Sequence, residues 1–139
     1  MELVANALQT VNANQNVLFT DTVIGGNSSI VHRNGSGIVM LRAITNQCRS
    51  RFKVSFGGNI AIPTGGTVEA ISLAITIEGE PVGATTMIVT PAAVENYFNI
   101  HSDVFIDVPK GCCYSIGVEN ISTQPILMQN ANIIVERVA

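Results

Sequence analysis

Short runs of alternating hydrophobic and polar residues recur along this chain, separated by breaks rich in glycine, asparagine and proline. The runs are NVLFTDTVI, SIVH, GIVMLRAI, RFKVSF, VEAISLAITIEGE, TTMIVT, YFNIHSDVFIDV, CYSIGVEN and NANIIVERVA. Period-two alternation between turn signals predicts β-strands, about nine of them. Gly25-Gly26-Asn27, Asn34-Gly35-Ser36-Gly37, Gly57-Gly58-Asn59, Pro63-Thr64-Gly65-Gly66 and Pro109-Lys110-Gly111 all carry turn chemistry. Two stretches bear a weak helical signal: LVANAL, with Leu3, Val4, Ala7 and Leu8, and TPAAVENYF after Thr90-Pro91. Neither is long enough to change the class, which is an all-β antiparallel sandwich or barrel.

The same alternation assigns faces. In RSRFKVSF, Phe52, Val54 and Phe56 point one way and Arg49, Arg51 and Lys53 the other. In HSDVFIDV, Val104, Ile106 and Val108 point inward, leaving His101, Asp103, Phe105 and Asp107 opposite. After the Pro-Lys-Gly turn, Tyr114, Ile116 and Val118 continue, so residues 101–120 read as a hairpin with its charges on one face.

Composition narrows the class. At 139 residues the chain suits one domain, expected over residues 16–139 behind an Asn/Gln-rich arm, residues 1–15. Hydrophobic residues make up 47% and charged residues only 12%, too few to cover a small monomer, so an obligate homo-oligomer is expected. A net charge of −3 without a polybasic segment argues against nucleic acid as a partner. No apolar run is long enough for a membrane-spanning helix. MELVANALQTVNANQ has neither a basic start nor an uninterrupted apolar segment, so no signal peptide is expected and synthesis is placed in a bacterial cytoplasm.

RFKVSFGGNIAIPTGG, ISLAITIEGEPVGATTMIV, FIDVPKGCCYSIGVEN and NANIIVERVA succeed one another in a way that resembles the ten-stranded jelly roll of the tumour necrosis factor and C1q superfamily. The resemblance is to the heads of bacterial and phage collagen-like proteins and to small phage or prophage structural proteins, although this chain has no Gly-X-Y triplets. It implies a tight homotrimer with one sheet facing the three-fold axis, in which RSRFKV and HSDVFIDV are neighbours. Arg49, Arg51 and Lys53 would then lie near Asp103 and Asp107. The closing strand is apolar on both sides, with Ala131, Ile133 and Val135 on one and Ile134 and Val138 on the other. That suits a core-plus-interface position. The candidate interface and ion-pair residues are accordingly Arg49, Arg51, Lys53, His101, Asp103, Asp107, Ile133 and Val135.

Catalytic chemistry finds little footing. His101 and Asp103 at i and i+2 could co-ligate a divalent ion, as some relatives do near the trimer axis, but His-x-Asp on a strand is nonspecific. His101 with Cys112 or Cys113 lacks a third member and an oxyanion loop. Three cysteines, Cys48, Cys112 and Cys113, are an odd count and read as free thiols. Asn-x-Ser sequons at Asn27, Asn34 and Asn120 carry little weight without a secretory signal. No catalytic residue, cofactor or metal is therefore expected. The function expected first is a non-enzymatic phage virion protein, a trimeric capsid-decoration or fibre-head module docked to another virion protein through the arm. The alternatives are a module binding host-surface glycans or proteins through loops at 25–27, 34–37 and 83–86, and a bacterial spore- or cell-surface head domain.

Overall fold

A computed structural model describes residues 1–26, 28–44, 48–111 and 113–139. Asn27 and Cys112, singled out above, lie outside the described residues. The described residues form twelve strands, β1 (Glu2–Ala5), β2 (Gln9–Val11), β3 (Asp21–Ile24), β4 (Ile30–His32), β5 (Val39–Arg42), β6 (Arg49–Ala61), β7 (Ile71–Ile77), β8 (Glu80–Pro81), β9 (Met87–Val89), β10 (Phe98–Pro109), β11 (Cys113–Asn120) and β12 (Ile126–Arg137). A single 3₁₀ turn at Gly83–Thr85 joins β8 to β9. No helix among the described residues is long and apolar enough to cross a membrane.

The strands form two antiparallel sheets, a jelly-roll sandwich. One sheet runs β10-β6-β12-β1-β3, with β2 also on β12, and the other runs β4-β5-β11-β7-β8, with β9 on β7. Period-two side-chain placement packs the inner faces together. Phe52, Val54 and Phe56 of β6 are fully buried, and Phe56 meets Phe19 edge-to-face at 6.2 Å between ring centres. Ile116 and Val118 of β11 and Leu73 and Ile75 of β7 close the core from the other sheet.

Three expectations are corrected. Residues 1–15 are not an arm: β1 pairs in register with β12, Glu2 opposite Ile134 through Ala5 opposite Ala131, and β2 pairs with β12 further along. Leu3, Ala5 and Val11 enter the core, and that burial anchors a segment whose polar composition suggested mobility. The stripe in LVANAL is no helix: Leu3 is buried and Val4 half-buried in β1, while Ala7 and Leu8 lie exposed beyond its end. TPAAVENYF is not a helical turn: it is a loop with Pro91 buried, residues 92–97 exposed and Glu95 at φ 57°, and its Phe98 opens β10.

Gly57-Gly58-Asn59 is no turn either; it lies inside the 13-residue β6. A Cβ on Gly58 would stand 2.8 Å from Met128 Sδ and 3.4 Å from Ala131 Cα, so glycine lets β12 approach where the β6–β12 register shifts between Gln129 and Asn132. The turns at Gly65 and Gly111 form as expected, with φ of +87° and +73°, conformations open to glycine.

Candidate functional site

The sequence-designated charges lie on the outward face of the β10-β6-β12-β1-β3 sheet. β10 and β6 are adjacent, and their register sets Asp107 opposite Arg51, Phe105 opposite Lys53 and Asp103 opposite Ser55. Arg51 donates to Asp107 through Nε at 2.8 Å and Nη2 at 3.1 Å, a bidentate fork, while Arg49 Nε stands 3.8 Å away. The hydrogen bonds from Arg51 hold the Asp107 carboxyl below its usual range, and the same contact raises the Arg51 guanidinium. Lys53 and Asp103 do not meet; two residues separate their places in the ladder. Lys53 has Glu136 of β12 as its other cross-strand neighbour.

His101 Nε2 lies 3.3 Å from Asp103 Oδ1 on the same strand face. Among the described residues no three His, Cys, Asp or Glu side chains converge as metal ligands. Several other polar groups on this face bind one another. Asn99 donates to Asn59 Oδ1 at 3.1 Å, Asn59 to Asn130 Oδ1 at 3.4 Å, and Asn132 Nδ2 to Glu2 Oε2 at 2.6 Å. Apolar side chains stand between them: Phe105 is 63% exposed, Ile24 59%, Val138 44% and Ile134 42%.

Ile133 and Val135 are misassigned as interface residues. Both are fully buried within the protomer, because β12 directs its odd-numbered residues into the sandwich from Ala131 to Val135. Ile134 and Val138 take the outward positions. Cys48 and Cys113 are both exposed. Asn120 is fully buried, with its amide donating to the carbonyls of Val11 at 2.9 Å and Gln124 at 3.0 Å and its Oδ1 accepting from the Ser122 amide. Its sequon is closed to modification in the folded chain.

A second feature escaped the sequence reading. Residues 14–17 run beside the end of β11, with Asn14 N donating to Asn120 O and Val17 N to Val118 O, each at 2.8 Å. The chain then crosses the open side of the sandwich. There the Gln9 side chain acts as a strand partner for Leu18, accepting from its N at 3.1 Å and donating to its O at 3.0 Å. The 34–37 turn lies over this crossing, so closely that a Cβ on Gly117 would be 2.8 Å from both Gly37 O and Asn16 Nδ2. Between these elements lies an open groove of ≈ 530 Å³ whose walls include Asn14, Gln15, Asn16, Leu18, Ile38 and Glu119. Of the other two glycine turns expected to bind, 25–27 includes Asn27, outside the described residues, and 83–86 flanks β7, where Thr85 Oγ1 accepts from Ile75 N at 2.9 Å.

No known family and no curated protein matches the sequence. In structure, the globular domain of zebrafish complement 1qA protein superposes with a TM-score of 0.63 at 11% identity, over 96% of this chain and 93% of that one. That likeness establishes the C1q-type jelly-roll fold. Looser matches include a family 35 carbohydrate-binding module from Clostridium thermocellum (TM-score 0.35, 12% identity, 92% of this chain and 98% of that one). Another is the CBM35 from Paenibacillus barcinonensis (0.36, 17%, 98% of each chain).

Proposed function

We propose that this chain is a non-enzymatic, homotrimeric recognition module that binds a glycan or protein through the rim of its sandwich. The observation carrying this reading is the outward face of the β10-β6-β12-β1-β3 sheet. There Arg51 pairs with Asp107 and Glu2 accepts a hydrogen bond from the Asn132 amide, while Phe105, Ile134, Val138 and Ile24 stand exposed among polar residues. A face whose polar groups satisfy one another loses little on desolvation, and its apolar residues gain by burial.

A capsid-decoration or fibre-head role in a virion would use the same trimer. It is the weaker reading because the docking arm it requires is instead part of the sheet.

Light scattering over a concentration series tests the proposal. The expected result is a trimeric mass at low micromolar concentration, reduced to a monomer by Phe105→Asp with far-UV circular dichroism unchanged. A monomeric wild-type protein across the series would overturn the trimer.

A further inference from the structure

We propose that the groove between β2, the 14–19 crossing and β11 binds a neutral oligosaccharide, a reading that rests on the recognition role above and gives it a site and a ligand class. Among the described residues lining the groove, Glu119 alone is ionisable, and its negative charge disfavours an anion. Among the described residues its carboxylate forms no ion pair. Four primary amides, on Gln9, Asn14, Gln15 and Asn16, share the walls with it; the Gln9 amide is held by Leu18 and Asn16 Nδ2 donates to the Gly37 carbonyl at 3.4 Å. An amide presents donors and an acceptor in one plane, and a carboxylate adds acceptors, which together match vicinal hydroxyls that each donate and accept. Leu18 and Ile38, both about half exposed, offer apolar surface for the C–H face of a sugar ring.

The backbone argues against an extended peptide. Strand addition needs an edge with open N–H and C=O groups. Here Asn14 N and Val17 N are taken by β11, both backbone groups of Leu18 by the Gln9 amide, and Phe19 N by Ser36 O. Recognition is left to side chains. A second, apolar depression of ≈ 170 Å³, lined by Ala5, Ala7 and Leu8, shares Gln9 and Leu18 with the first. The two together suit a chain of sugars better than a single one. No aromatic ring lines either, so stacking adds nothing and the affinity is modest.

The test is calorimetric titration of the full chain with neutral gluco-, galacto- and manno-oligosaccharides and with sialylated and sulfated ones, repeated for Gln15→Ala and Glu119→Ala after their melting temperatures are checked against wild type. The expected result is saturable binding of a neutral oligosaccharide, weakened about tenfold by each variant, with anionic sugars excluded. Neutral binding left unchanged by both variants would overturn this site while keeping the recognition reading. Binding of anionic sugars alone would overturn the ligand class. No saturable signal from any saccharide would overturn the proposal, and the trimer measured by light scattering would stand or fall separately.

Discussion

Substituting Gly117 with alanine tests how the groove is built. Gly117 sits in β11 between the inward-facing Ile116 and Val118, so a side chain there projects outward beneath the 36–37 backbone. The added Cβ would lie 2.8 Å from the Gly37 carbonyl oxygen and 2.8 Å from Asn16 Nδ2, about 0.6 Å inside the closest comfortable contact. One obstacle is backbone, so a rotamer change cannot relieve it. Overpacking of this kind costs about 1–3 kcal/mol. Removing a glycine from the unfolded chain returns about 0.4–1 kcal/mol. The net loss is about 1–2 kcal/mol, which lowers the melting temperature by roughly 4–8 °C for a chain of this size. Thermal melts by circular dichroism, at one protein concentration because association would shift the midpoint, measure it. Gly83→Ala is the control: nothing stands within 4 Å of its Cβ and its backbone is ordinary. Equal midpoints for the two variants would refute the close-approach argument. A drop confined to Gly117→Ala, with weaker saccharide binding, would tie the strand to the groove.

Ile133→Ala is expected to cost about 2–5 kcal/mol as a core truncation, and Ile134→Ala under about 1 kcal/mol in the isolated protomer; urea denaturation of both tells the faces apart. Asn120→Ala removes three buried hydrogen bonds and strands the carbonyls of Val11 and Gln124, an expected loss of about 2–4 kcal/mol in the same assay. The Asp107 carboxyl is depressed in the folded state, so its pairing stabilises the fold above the unfolded value near 3.8 and is lost as pH falls through the lower folded value. Melts from pH 5 down to 2 are expected to fall more steeply for wild type than for Asp107→Asn; identical slopes would contradict the pairing.

Where one strand buries one face, periodicity sufficed. The opposition of Phe52, Val54 and Phe56 to Arg49, Arg51 and Lys53, and of Ile106 and Val108 to Asp103 and Asp107, could be read because side chains alternate strictly along a strand. β12 defeated the same logic, since both of its faces are apolar and only packing against the opposite sheet determines that Ile133 and Val135 go inward. Glycine misled at 57–58 because a turn and a close strand approach call for the same residue, and only the neighbour, here Met128, distinguishes them. The polar N-terminal segment misled because its few apolar residues, Leu3, Ala5 and Val11, count for little locally and for much once β12 lies beside them.

By itself, then, the chain determined most of its strands and turns, and the inward faces of strands buried on one side, since these depend on neighbours a few residues apart. The tertiary structure decided which of the expected partners meet, Arg51 with Asp107 across 56 positions and not Lys53 with Asp103, and it alone brought Gln9 and Gln15 together with Glu119 around one groove. Such contacts arise from strand order and register, which are set when two sheets choose how to bury their apolar faces together, and no local pattern records that choice.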